Sequence, residues 1–471
     1  MRFFSKPKPE GLRSPHFHDH SSALLWGRHF CLPIFFCGLL GAAPPEQAAL
    51  DRISAASLRG NLSFLASDAL EGRATPSRGL TVAAEFIASC FRRAGLQPLA
   101  PNYLQTADFV SVTQNLEGFQ LTLSAGRNEL QLSAADTGIR SLQPLDLRNA
   151  PVIALPASGI AGKVVAGDAR KFAADSALAA LRAQHPSLIL LVSGAGNVRE
   201  SETSWKGDPA ENEVPVIRIF NEDAAKVVAD RRPFTISLRL AAPARTDSKV
   251  ANVVALLPGS DSAQYVLVSA HYDHLGIKNG RIYNGANDNG SGVVSVIEMA
   301  NALASLTERP KRGIVFAAFF GEEDGLLGSE YYARHPLEPL ASTAANINLD
   351  QMGRTDEQEG AEVGAFAFTG PSYSTLPAVM TAAAKTQGVK VYSKRGADSF
   401  FDRSDNYALA EAGVVAHTVV VAFEYPDYHG PGDKWEKIDY ENMAKVDRAV
   451  AAGVLRIANA PESPKWTGGQ H

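Results

Sequence analysis

Three apolar runs in the second half of this chain end the same way. YVLVSA runs into His271-Tyr272-Asp273, GIVFAAFFG into Glu322-Glu323-Asp324, and ANINL into Asp350. Short, continuously apolar runs bounded by polar loops read as strands buried on both faces. Between and after them lie helix-period stretches, VVSVIEMANALASL, LLGSEYYARH and LPAVMTAAAKTQG, and AHTVVVAF adds a late strand. This alternation predicts a largely parallel sheet covered by helices on both sides. Open α/β sheets bind their ligands beyond the carboxyl ends of the strands. A protein core does not place so many ionisable groups at such ends without pairing them or giving them a metal.

Two loops add candidates: Asp288 stands in NGANDNGSG and His429 in DYHGPGD. Taken singly, each residue has a plain structural explanation. A lone histidine is packed and hydrogen-bonded, adjacent glutamates sit on a solvated face, and an aspartate among Gly and Asn forms a turn. Two histidines and three carboxylates together, with a spare carboxylate beside one of them, are the inventory of a two-metal hydrolase. That nitrogen and oxygen set suits zinc, and no thiolate is needed. Asp273, two residues beyond His271, is suited to accept from the second nitrogen of a ligating imidazole. Of the adjacent glutamates, one can ligate while the other moves a proton.

Read in order, HYDHLG, NGANDNGSG, FGEEDGLLGS, NLDQMGR and DYHGPGD resemble the M28 zinc peptidases, a family of co-catalytic dizinc aminopeptidases with some carboxypeptidase relatives. The upstream LSFLASDALEGRATPSRG resembles the lead-in of its larger members, so the likeness covers roughly residues 55–460. It implies the zinc-exopeptidase fold, three αβα layers with a mostly parallel mixed central sheet, and a peptide substrate. It also implies two Zn2+ per chain: His271 and His429 on the first, Glu323 and Asp350 on the second, and Asp288 bridging. Asp273 would hold the His271 imidazole. Glu322 would be the general base toward a water that zinc acidifies to a pKa of about 7, and Tyr428 a hydrogen-bond donor to the tetrahedral oxyanion. Gly290 and Gly292 permit tight backbone at the bridging loop. Arg354 and Arg403 flank the motifs, either receiving a substrate carboxylate or pairing with acids, while Glu322, Asp324 and Asp405 are candidates to receive an α-ammonium. FFDRSDNYALAEAG resembles a substrate-side loop in which family members often carry His at the position of Asn406.

Residues 110–245 differ in character. FQLTLSA, PVIALPA, GKVVAGD, SLILLVSG and VPVIRIF are short β runs separated by turn residues, with DSALAALRAQ helical between them. They predict a smaller inserted β-rich α+β domain without catalytic chemistry, and the same resemblance implies a protease-associated domain. The peptidase domain is then discontinuous, at 46–109 and 246–465. In LTVAAEFIASCFRRAGL the helical spacing makes Cys90 a core residue. Residues 1–45, basic and then FCLPIFFCGLLGAA, read as a signal or leader segment, with a retained anchor as the alternative. The expectation is an exported protein, periplasmic or secreted, with no stable membrane span in the mature chain. A net charge of −5 leaves no basic surface for nucleic acid. The oligomeric state stays open.

Other readings compete. A carboxypeptidase or dipeptidase on the same scaffold would use the arginines to read a terminal carboxylate. A non-catalytic, receptor-like relative or a glutaminyl-cyclase-like enzyme would be expected to lack part of the metal set, which is complete here. A serine hydrolase built on Ser291 would want G-x-S-x-G, which is absent. The acids crowding the cleft favour an N-terminal ammonium, and hence an aminopeptidase.

Overall fold

The computed structural model describes residues 45–172, 175–194, 204–207, 214–261, 263–358, 360 and 362–468. The leader expected at 1–45 therefore lies, Pro45 apart, outside the described residues. No helix among the described residues is long and apolar enough to cross a membrane.

The anticipated strands form the centre of one ten-stranded sheet. Tyr265–His271 lies between Gly313–Phe319 and Thr343–Asp350, parallel to both, and Ala416–Val420 continues the parallel set beyond Thr343–Asp350. The flanks are antiparallel: Ala244–Leu257 beside Gly313–Phe319, Leu104–Thr113 beside Ala244–Leu257, and Ala365–Phe368 beside Ala416–Val420. Alternate residues of the central strands face opposite layers. Val266, Val268 and Ala270 pack with helices Gly292–Ala304 and Tyr440–Asn459, while Leu267, Val315, Ala317 and Phe319 pack with Tyr332 and Leu409 on the other side. This is the expected three-layer αβα arrangement, and burial on both faces is why the strands read as unbroken apolar runs.

The lead-in joins the first helical layer. Helices Ala55–Leu65 and Arg78–Arg93 start at Ser54 and Ser77, whose hydroxyls accept from Ser57 N and Leu80 N. Arg78–Arg93 buries Leu80, Ala83, Ile87 and Phe91, with Cys90 among them, as its spacing requires. Two long elements were not anticipated. Helix Tyr440–Asn459 lines the core, and Ala244–Leu257 is polar and exposed in its first half but buried in its second.

A second, eight-stranded sheet takes in the short β runs between residues 120 and 240. Four of its strands, Leu145–Ala154, Val164–Asp168, Leu188–Ser193 and Val216–Phe220, run parallel. The same region returns one strand, Ser204–Gly207, to the edge of the main sheet, where it pairs with residues 110–113.

Candidate metal centre

His271 and Asp350 are the last residues of their strands, and Glu322 and Glu323 follow Gly313–Phe319 by a short turn. The parallel register puts His271 beside Phe319, so these ends meet at one edge of the sheet. Asp288 is brought to the same place by a loop with dense polar support. Asp433 accepts from Asn287 N and Asp288 N and also from Tyr425 Oη. Asn289 Nδ2 donates to Leu349 O, and its Oδ1 accepts from Gly292 N. A Cβ on Gly292 would lie 2.3 Å from Asn289 Oδ1 and 2.4 Å from Leu349 O, so only glycine fits there. Ser291 is buried, donating to Asn287 O and accepting from Met352 N. It braces this loop, and the serine-nucleophile reading loses its nucleophile.

The distances pair the ligand candidates differently from the resemblance. His271 Nε2 lies 3.4 Å from Asp288 Oδ1 and 3.8 Å from Asp350 Oδ1. His429 Nε2 lies 3.1 Å from Asp288 Oδ2 and 3.3 Å from Glu323 Oε2. The two histidines thus face opposite oxygens of Asp288. His271 goes with Asp350 and His429 with Glu323, in place of the expected grouping of the two imidazoles together. Glu322 Oε2 is 3.8 Å from His271 Nε2, on the His271 side.

Asp273 does more than hold an imidazole. Its carboxylate lies 3.6 Å from His271 Nδ1, which is 3.3 Å from the Asp273 carbonyl. The same carboxylate accepts from Glu322 N at 3.1 Å and Glu323 N at 3.3 Å, tying the two strand ends together. Ser404 donates to Asp350 Oδ2 at 2.8 Å. Asn406 accepts from Thr418 Oγ1 and donates to Phe401 O, so both ends of its amide are bonded within the fold.

Burial pushes the Glu322 and Glu323 carboxyls well above the usual range. Asp288 is held low against burial by its contacts with His271 and His429. The Tyr428 ring stacks on His429 at 4.1 Å, and burial beside Asp288 and Asp350 raises its phenol, which keeps its proton.

Several flanking candidates are engaged elsewhere. Arg354 is bidentate to Asp356, bonded to Asp427 at 3.0 Å and laid over the Tyr425 ring. Asp405 is fully buried, where burial pushes it up to about 7. Asp324 meets Lys206, from the strand Ser204–Gly207, at 3.2 Å. Arg354 and Asp324 are thus taken up by other side chains, while both carboxylate oxygens of Asp405 are buried without a hydrogen-bond partner. Arg403 is exposed and lies over Phe400.

Two residues at the centre were not foreseen. Arg73, in the lead-in, is 1% exposed, and its guanidinium donates to four carbonyls, those of Leu65, Tyr272, Asn284 and Gly285. It clamps the His271 strand end to the Asp288 loop, and burial lowers its pKa to about 10. His274, the second histidine of HYDHLG, is 1% exposed, and burial lowers its pKa to about 4, so it is neutral. Only the dense motif context around each marked them, since neither has a period or a partner in sequence.

The donor set fits zinc. It offers nitrogen and oxygen in two groups, and Glu323 Oε1, Asp350 Oδ1 and both ring nitrogens of His274 are buried without a hydrogen-bond partner. Residues 252–454 match Peptidase family M28. The chain carries a family M28 peptidase domain. Aminopeptidase YwaD of Bacillus subtilis is 29% identical over 260 residues, spanning 54% of this chain and 53% of its own length. A probable lipoprotein aminopeptidase, LpqL, of Mycobacterium tuberculosis is 26% identical over 403 residues, 79% of this chain and 75% of its own. Alignments to the first curated relatives thus span little more than half of those proteins. The chain shares its fold with the aminopeptidase of Aneurinibacillus sp. strain AM-1, at a TM-score of 0.53 and 18% identity, over 89% of this chain and 97% of that one.

Proposed function

We propose that the chain is an exported two-zinc aminopeptidase. One observation carries the reading: the two oxygens of Asp288 each face a different imidazole, His271 Nε2 at 3.4 Å and His429 Nε2 at 3.1 Å. A carboxylate so placed would be able to serve a metal ion on each side. His271 and Asp350 would hold one zinc and His429 and Glu323 the other. Bound there, zinc supplies Lewis acidity toward the scissile carbonyl and toward water.

The chain's own residues do the rest. Glu322 takes the proton of the attacking water at Oε2 and returns it to the leaving amine. Asp273 orients His271 and, through the backbone of Glu322 and Glu323, holds base and ligand in register. Tyr428 donates from its protonated hydroxyl to the developing oxyanion. The acidic cleft suits an α-ammonium, and Arg354 is too fully engaged to receive an α-carboxylate. The second sheet, drawn from within residues 110–245, is proposed as the protease-associated-like insertion, and the leader as the export signal.

Peptides with free, acetylated and amidated ends test the reading. N-acetylation is expected to abolish cleavage and C-terminal amidation to change it little. Acetylated peptides cut and amidated ones spared would overturn it in favour of a carboxypeptidase.

A further inference from the structure

His274 has no part in the chemistry above, yet it is built into the centre. Its Nδ1 lies 2.6 Å from Glu323 Oε1, and the approach forms no hydrogen bond. Its ring meets His429 edge-on at a centroid distance of 5.8 Å. One donor atom each from His274, Asp288 and Glu323 falls within 4.8 Å of the other two. The ring is also held from behind. Gly285, at φ 54°, would place a Cβ 2.4 Å from the His274 Cγ, so the imidazole packs directly against the Gly285 backbone. His274 N donates to Arg73 O, at 3.3 Å. A buried imidazole fixed by backbone on one side, with no hydrogen bond from either nitrogen, lacks a partner where the ligand atoms converge.

We propose that His274 is a fourth protein donor to the metal position of Asp288, Glu323 and His429, which makes the two positions unequal. The position with two imidazoles and two carboxylates is then closed by protein, as in a structural zinc site. The other position has His271, Asp350 and the shared Asp288, and so keeps room for water and substrate. Glu322, the proposed base, stands with this three-donor group. The inference rests on the two-zinc reading and divides its labour: one ion is held tightly to shape the cleft, and the other exchanges at the reacting side.

The test uses the full chain loaded with a single equivalent of zinc and zinc X-ray absorption to count imidazoles. Two imidazoles on the first-bound zinc are expected, and one would overturn the proposal whatever any variant does. In parallel, His274→Ala is titrated with zinc against a competing chelator. Its first-equivalent affinity should fall by more than the roughly 10- to 100-fold typical of losing an outer hydrogen-bonding partner. The second equivalent should bind nearly unchanged. Two zincs bound with wild-type stepwise affinities in His274→Ala would refute the role of His274 while leaving the two-zinc reading intact. Failure of the wild-type chain to bind zinc at all would remove both.

Discussion

The two sheets of this protein share a motif and differ in what stands at its end. Each runs four neighbouring strands in parallel. In the second sheet, Val164–Asp168 ends in an aspartate that Arg170 satisfies locally, through its backbone N and by guanidinium contacts at 3.0 and 2.7 Å. Val216–Phe220 is followed by Asn221, whose side chain caps the next helix by accepting from Asp223 N and Ala224 N. The polar groups there are consumed within a few residues and remain in water. In the main sheet, His271, Glu322 and Asp350 are withdrawn from water and face one another across long sequence separations. A strand end is therefore not a site in itself. It becomes one when desolvated ionisable groups converge without local partners.

The sharpest way to break that contrast is to neutralise one acid in each sheet. Glu322→Gln should lower turnover by about 10²- to 10⁴-fold, the usual contribution of a general base. Zinc content and the unfolding midpoint should stay at wild-type values. Asp168→Asn should leave turnover unchanged. Retained activity in Glu322→Gln would assign the proton transfer to another group and dissolve the distinction between the two ends.

Arg73 is the next test, because it binds the main-sheet site to the lead-in. Arg73→Ala strands four buried carbonyls and leaves nearby Asp273, Asp433, Asp288 and Glu323 without their buried cation. Breaking such a buried charged set costs roughly 3–5 kcal/mol, readable as a drop in the denaturant midpoint of the metal-free protein. Arg73→Lys should rescue little, since a point charge cannot replace a planar fork reaching four acceptors. A midpoint within error of wild type in Arg73→Ala would mean that the lead-in is an appendage and not part of the site.

Much of this was legible in the residues because burial on both faces writes strands as apolar runs and stops them where chemistry begins. Tyr265–His271, Gly313–Phe319 and Thr343–Asp350 were readable for that reason. Ala244–Leu257 was not, because its first half lies exposed at the junction of two regions and reads as loop. The pairing of His271 with Asp350 was not readable either. Which ligand faces which depends on side-chain direction at strand ends, and motif order carries no such information. Arg73 and Asp433 escaped for a related reason: their partners are backbone groups, which are the same at every position in a sequence.

The smallest expected effect on the site comes from a buried acid that lies outside it. Asp447, on helix Tyr440–Asn459, is fully buried and accepts from Ser295 Oγ at 2.9 and 2.8 Å. Burial, with Glu298 nearby, pushes its pKa up to about 8, against about 3.9 in an unfolded chain. Between these values the folded state keeps a proton that the unfolded state has released. Stability is then full below about pH 4 and declines as pH rises through 8, at most by about 1.4 kcal/mol per pH unit for one proton. Asp447→Asn keeps a neutral side chain of similar shape, so its unfolding midpoint should fall less steeply than that of wild type between pH 5 and 9. Asp168 makes the matching control in the second sheet. Arg170 lowers its pKa to about 2, so its contribution changes only in acid, and Asp168→Asn should leave the curve from pH 5 to 9 unaltered. Parallel curves for Asp447→Asn and wild type would show that this carboxyl is hydrated in the folded protein and releases its proton as readily as in the unfolded chain.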